Sequence, residues 1–194
     1  DDIPIFMSGV YNQHTTGAPL TIFFENKNVR SSDYSKHSAI PRPSHADFVA
    51  HVKYNGYEDH NGGGHFSARL TTGIVAAGVI ARQMILNIIP EYSIQTQFIA
   101  VGGLPTIEAG LARAIAHKDS VGAVINCTIT GLPIGLGEPF WDSCESVLAH
   151  AMFSIPAVKG IQFGKGFEAA NMLGTEHNDS IIDRKGTTAT NHAG

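Results

Sequence analysis

The residues able to do chemistry crowd between positions 42 and 69. Arg42-Pro43-Ser44-His45-Ala46-Asp47 sets a histidine three residues after a guanidinium and two before a carboxylate. Imidazole gains or loses a proton near neutral pH, so His45 suits general acid work. Arg42 could hold an anionic group, and Pro43 stiffens the loop that presents both. The structural alternative is a ring satisfied by a backbone carbonyl or by Asp47.

A second cluster follows in Asn61-Gly62-Gly63-Gly64-His65-Phe66-Ser67-Ala68-Arg69, with an apolar run from there to Ile89. Consecutive glycines reach positive φ and let a ligand approach the main chain. The run reads as one helix of about six turns. It carries no charge between Arg69 and Arg82, and Gly73 and Gly78 allow close neighbours. A helix apolar on every side is expected inside the molecule. Its first turn, with Ser67 and Arg69 beside it, would form an anion site. The alternative is a glycine turn that merely enters a buried helix.

Other chemistries fit less well. His45, Asp47, His51, His60 and His65 are suitable zinc or iron ligand types. Their spacing matches no compact ligand motif such as HExxH, so no metal is expected. The glycines are not followed by Lys-Ser or Lys-Thr and do not form GxGxxG, which disfavours nucleotide folds. Ser67 and Ser143 lack a GxSxG elbow and are expected to bind ligand or cap helices. Gly135 to Asp142 contains the one Trp and reads as a structural turn with an aromatic plug. Glu176-His177-Asn178-Asp179 reads as a solvated loop.

These groups need a scaffold. With 194 residues, 43% hydrophobic and 15% charged, the chain reads as a single domain over 1–194 with a sizeable core. A net charge of −4 predicts no general affinity for nucleic acid or anionic membrane. Cys127 and Cys144 read as reduced, packed thiols of a cytoplasmic protein. No signal peptide is expected, and Arg82 is expected to interrupt the apolar run short of a membrane span. Starting at Asp1 without Met and stopping at Gly194, the chain reads as cut at both ends.

Ile3 to Gly9 and Leu20 to Glu25 read as short strands joined by a polar connection, Asn12 to Pro19. Asn26 to Arg42 reads as a long functional loop. Phe48 to Tyr54 is expected to be helical with Ser44 as N-cap. Beyond the central helix come a strand at Tyr92 to Val101, a helix at Thr106 to His117 capped by Thr106, and a strand at Val121 to Thr130. A helix at Asp142 to Ser154, a strand at Val158 to Phe163 and a short helix at Phe167 to Met172 complete the pattern. Strands and helices mix without a strict βαβ repeat, which argues for α+β.

In order along the chain, several segments resemble chorismate synthase. Ser8-Gly9-Val10 with Thr15-Thr16-Gly17-Ala18-Pro19-Leu20 is similar to that family's SGV…TTGTPI opening. Arg30-Ser31-Ser32-Asp33-Tyr34 resembles RSxDY, and Arg42 to Asp47 resembles RPGHAD with Ser44 at the glycine. Gly63 to Thr71 resembles GGRSSARET. Gly135 to Asp142, Ser154 to Gly160 and Gly174 to Asp179 resemble GLGEPxFD, SIPAVKG and GSEHND. One match alone is weak; so many in order are specific.

The resemblance implies a cytoplasmic lyase of the shikimate pathway in aromatic amino acid biosynthesis. It would convert 5-enolpyruvylshikimate 3-phosphate to chorismate and phosphate by 1,4-elimination. Reduced FMN would be required, with NADPH as a candidate reductant. The implied fold is a β-α-β sandwich, its apolar central helices buried under antiparallel or mixed sheets, in a homotetramer. His45 resembles the histidine that gives a proton to reduced flavin. Arg42, Ser67 and Arg69 resemble residues holding the substrate's anionic groups. His65, Phe66 and Ser67 stand where the family has Arg-Ser-Ser against the flavin, and His192-Ala193 resemble a later flavin-contacting pair.

Asn61 and His65 replace arginines, Phe66 a serine and Leu70 a glutamate, which weakens phosphate or flavin contacts. We read GGGHFS as a variant form shared by some bacterial members. The family's Gly-Glu-Ser-His-Gly segment and its Arg-His-Asp motif have no counterpart here, so the piece is expected to be inactive alone and to bind FMN weakly. The alternatives are a non-catalytic scaffold or binding module that keeps the family core and, more remotely, a histidine-based metal hydrolase. The family picture requires the central helix inside, its leading end facing the ligands together with His45.

Overall fold

In a computed structural model, residues 2–27, 40–59 and 61–194 are described. The Arg30 to Tyr34 motif and His60 lie outside them. The chain divides into two compact units, Asp1–Pro133 and Ile134–Gly194.

The first unit opens with β1 (Ile5–Ser8) paired antiparallel to β4 (Thr21–Phe23) in the register Ile5↔Phe23 and Phe6↔Ile22. The polar connection between them is itself a hairpin, β2 (Val10–Tyr11) and β3 (His14–Thr15). Asn12 and Gln13 both take positive φ, 46° and 64°, as a two-residue turn of the hairpin hand requires. Strands of two residues carry no alternation long enough to read in sequence.

Helix α1 runs Asp47–Lys53, one residue ahead of expectation. Ser44 is not its cap. It sits at φ 57° inside the preceding turn, and Ala46 occupies the N-cap without a side-chain bond. Asp47 supplies the negative charge in the first turn that a helix N-terminus favours.

The glycine stretch forms a 3-10 helix, Asn61–Phe66. Ser67 follows, then a second 3-10 turn, Ala68–Leu70, which runs straight into α2 (Thr71–Ile88). Helix α2 has 18 residues and none is buried. Val75 is 66% exposed and Ile88 79%, so the expectation of a buried central helix fails for this chain. Uniform apolarity shows only that the helix has no polar face. It does not say what covers it. Among the described elements only the 3-10 turn leading into it makes substantial contact. By length and composition Ala68–Ile88 also suffices to cross a membrane, with a mean hydropathy of 1.3, so Arg82 does not shorten it below a span.

The longest strand pairing among the described residues is an antiparallel ladder. β5 (Ser93–Val101) pairs with β6 (Ala123–Thr130) from Ser93↔Thr130 to Val101↔Ala123. Helix α3 (Ile107–His117) lies between them in sequence and packs on β5. Thr106 caps it, its hydroxyl accepting the Ala109 N–H at 3.2 Å, and Lys118 closes it in the left-handed conformation. Gly110 is buried against Val101, where an added Cβ would collide with that side chain. Arg113 Nη1 donates to the Gly102 carbonyl at 2.6 Å, tying helix to strand end.

In the second unit a 3-10 turn, Phe140–Asp142, precedes α4 (Cys144–Phe153). Ser143 caps α4 by accepting the Ser146 N–H at 3.2 Å. Phe140 and Trp141 are 82% and 86% exposed, so the turn is structural but its aromatics plug nothing. Val158 to Phe163 carries no strand pairing; Lys159-Gly160 interrupts its β-branched run and it finds no ladder partner among the described residues. A 3-10 helix, Gly166–Asn171, and a short α5 (Gly174–His177) follow. The thiols of Cys127 and Cys144 are free and exposed rather than packed.

Helices mixed with antiparallel strand pairs make the architecture α+β, as expected. Among the described residues the apolar helix α2 is present but uncovered.

Candidate functional site

The turn that begins at Arg42 is closed by the His45 N–H donating to the Arg42 carbonyl at 3.3 Å. It delivers three side chains to one point. Arg42 grips Asp47 with both arms, Nε to Oδ2 and Nη2 to Oδ1, each at 2.8 Å. The Arg42 backbone N–H adds a third bond to Oδ2 at 3.0 Å. His45 Nδ1 lies 2.6 Å from Asp47 Oδ1 and 3.0 Å from Arg42 Nη2. Hydrogen bonds from Arg42 hold the Asp47 carboxyl well below the usual carboxylate range, against the opposing effect of burial. A bidentate guanidinium–carboxylate pair of this geometry fixes orientation as well as charge.

Arg42 and Asp47 line a cleft of about 1030 Å³. Phe48 and Tyr54 enter it from α1; His65, Phe66, Ser67 and Arg69 enter from the glycine stretch and the turn after it. The Tyr54 and Phe66 rings stand 6.4 Å apart, and His65 and Phe66 6.1 Å. His45 does not line the cleft; it touches the two residues that do. Five of the eight expected site residues therefore line one cavity, His45 adjoins it through Arg42 and Asp47, and His192 and Ala193 belong to the second unit.

Gly63 and Gly64 also line this cleft. Gly64 takes φ +62°, and a Cβ there would strike the Asp59 carbonyl oxygen. Crowding against the protein's own backbone thus requires this glycine, whatever else approaches it.

The anion site expected at the leading end of α2 takes a different form. The 3-10 turn continues the helix backwards, and the Thr71 N–H already bonds to the Ala68 and Arg69 carbonyls. Ser67 Oγ accepts the Arg69 N–H at 3.3 Å, and so works as the cap of that turn. The Arg69 guanidinium donates to Asp2 Oδ1 at 2.6 Å and to the Glu25 carbonyl at 3.2 Å. Both candidate anion-holding arginines are paired with carboxylates here.

In the second unit, His192 and Ala193 are held by Asp179. Oδ1 accepts the Thr190 hydroxyl at 2.6 Å and the His192 N–H at 2.8 Å, while Oδ2 accepts the Ala193 N–H at 3.0 Å. These bonds, that from Thr190 foremost, lower the Asp179 pKa to about 2. His192 Nδ1 lies 2.9 Å from the Glu176 carbonyl, which fixes the ring as an Nδ1–H donor. The segment read as a solvated loop is therefore an anchor. Its partners lie 11 to 14 residues away, beyond any local motif. Asp47 was visible beside His45, but not its role as the hub of three side chains.

Among the described residues, no group of three or more His, Cys, Asp or Glu could hold a metal ion. His45 and Asp47 meet, whereas His51 pairs with Glu58 at 2.9 Å.

The family model for chorismate synthase matches residues 1–194. A curated chorismate synthase from Chitinophaga pinensis is 61% identical over 194 residues, covering all of this chain and 58% of its own length. One from Korarchaeum cryptofilum is 41% identical, over 92% of this chain and 57% of its own length. A crystal structure of chorismate synthase superposes with a TM-score of 0.80 at 23% identity, covering 100% of this chain and 65% of that one, a likeness that speaks for the fold. The chain thus spans somewhat more than half the length of these curated relatives. A match running over every residue, at this identity and on this fold, places the chain in the chorismate synthase family.

Proposed function

We propose that the protein containing this chain eliminates phosphate from 5-enolpyruvylshikimate 3-phosphate to give chorismate, using reduced FMN. The observation that carries the reading is the family match over all 194 residues, with the Arg42–His45–Asp47 cluster at the rim of the cleft. A 1,4-elimination breaks a C–O bond to phosphate and a C–H bond, so it needs positioned proton donors and acceptors. His45 offers one. Arg42, Ser67 and Arg69 line the space where an anionic substrate would sit.

The cleft suits a flavin ring. Its aromatic wall of Phe48, Tyr54 and Phe66 and its volume of about 1030 Å³ match a flat tricyclic group. Reduced flavin, when bound, supplies an electron-rich ring beside the substrate. His65, Phe66 and Ser67 would hold it in this cleft, and His192 and Ala193 are proposed as flavin-contacting residues on the resemblance alone. Arg42 and Arg69, the cations lining the cleft among the described residues, are already paired with Asp47 and Asp2. This supports weak FMN binding and no activity for residues 1–194 by themselves.

We read the two units as parts of one family domain, since one family model spans both. The exposed apolar face of α2 supports a homo-oligomer, a tetramer in the whole enzyme. The free thiols support a cytoplasmic setting. Net negative charge supports neither a nucleic-acid nor an anionic-membrane partner. NADPH is the proposed reductant.

The test is anaerobic turnover by the full-length protein with reduced FMN and 5-enolpyruvylshikimate 3-phosphate, read as chorismate absorbance. Chorismate formation supports the reading and its absence overturns it. Adding NADPH to oxidised flavin tests the reductant. Tight FMN binding by residues 1–194 would overturn the inactivity of the piece.

A further inference from the structure

The Arg42–His45–Asp47 cluster sets two incompatible demands on one atom. His45 Nδ1 faces Asp47 Oδ1 at 2.6 Å, which needs a proton on that nitrogen. The same Nδ1 faces Arg42 Nη2 at 3.0 Å, and a guanidinium can only donate, which would need a lone pair there. A neutral ring can meet one demand only, and each choice places the mobile proton at opposite ends of the imidazole. Distance and charge decide between them. A lone pair held 2.6 Å from an anionic oxygen is repelled, whereas an N–H donating to a carboxylate is a charge-assisted bond. Arg42 Nη2 keeps an acceptor either way, in Asp47 Oδ1 at 2.8 Å.

We infer that Asp47 is a positioning residue: it holds the proton of the neutral His45 ring on Nδ1 and leaves Nε2 as the nitrogen that exchanges protons with bound ligands. Without its carboxylate, Arg42 donates to Nδ1 and the ring inverts to the Nε2–H tautomer, which cannot take up at Nε2 the proton that it must later give. Asp47 therefore acts through His45 and Arg42.

The kinetic consequence rests on the proposed function, whereas the tautomer does not. In full-length protein labelled with ¹⁵N-histidine, two-bond nitrogen–proton correlations report which ring nitrogen of the neutral imidazole is protonated. His45→Gln assigns the signals. The wild-type ring is expected as Nδ1–H; finding Nε2–H overturns the inference without any variant having to fold. In Asp47→Ala the pattern is expected to invert, and an unchanged tautomer overturns it. Asp47→Glu restores an acceptor and is expected to restore Nδ1–H. With substrate and reduced FMN, Asp47→Ala is expected to lower kcat by roughly 10- to 100-fold with KM little changed, the loss typical of a misplaced acid–base group. A protein that makes no chorismate defeats the functional reading but leaves the tautomer measurement standing. A working enzyme whose His45 is Nε2–H defeats this inference alone.

Discussion

The carboxylate of Asp179 receives the backbone N–H of His192 across 13 residues of chain, at 2.8 Å, and the next N–H, that of Ala193, goes to its other oxygen. One half-buried side chain thus sets the path of the segment that resembles a flavin-contacting pair. Asp179→Ala is expected to accelerate amide hydrogen exchange at His192 and Ala193 while leaving the β5–β6 ladder protected. Unchanged exchange at those two amides would show that the segment holds its path unaided.

The same carboxyl makes a pH prediction. Its pKa falls from the ordinary 3.8 to about 2, so its contribution to folding is fully present above 3.8 and drains away as pH drops through about 2. Acid titration followed by exchange at Ala193 is expected to show protection lost only at the bottom of that window. Loss already at pH 5 would point to another group.

Gly64→Ala tests whether the glycine stretch is structural. The added Cβ strikes the Asp59 carbonyl oxygen and the residue must stay at φ +62°. Strain of this kind costs about 1–3 kcal/mol. The midpoint of denaturant unfolding is expected to fall accordingly, where Gly73→Ala, with open space around it, is expected to be neutral or slightly stabilising. Equal effects from both would sink the argument.

Gly110 is the contact point of α3 on β5. Substitution by Val forces a branched side chain into Val101 and should cost roughly 1–3 kcal/mol, as overpacking does. Thr106→Ala at the start of the same helix is expected to cost about 1 kcal/mol through the lost cap. Thermal unfolding of the two variants should rank them in that order.

Helix α2 offers a different measurement. With Val75 and Val79 66% and 55% exposed, residues 1–194 alone are expected to bind a hydrophobic dye and to self-associate with rising concentration. Val75→Lys combined with Val79→Lys should abolish both. A monomer at all concentrations, silent to the dye, would contradict the oligomer reading.

Local structure was largely legible. Thr106 announced its helix because a cap is written within three residues of the helix it starts, whereas Ser143, inside the helix expected from Asp142, proves to be the cap of one that begins at Cys144. The runs ending at Val101 and Thr130 read as strands through β-branched residues, and both boundaries fell within two residues of the observed ones. Ser44 misled because a serine before a helix reads the same whether it caps or turns, and its φ of 57° is not a local property of the sequence. The strand expected at Val158 failed because a strand exists only with a partner, and no pattern within six residues names one.

By itself the sequence determined which residue types stand in which order: an imidazole between a guanidinium and a carboxylate, a glycine run before an apolar helix, and the ordered motifs of a family. Those are properties of neighbours along the chain, where the covalent geometry limits what can happen. Tertiary structure alone decided that Asp47 binds Arg42 and His45 together, that Arg69 turns to Asp2, that Asp179 reaches Ala193, and that α2 lies uncovered. The reason is physical. A hydrogen bond or a buried face needs two surfaces brought together in space, and an apolar helix records its need for a cover without recording what provides it.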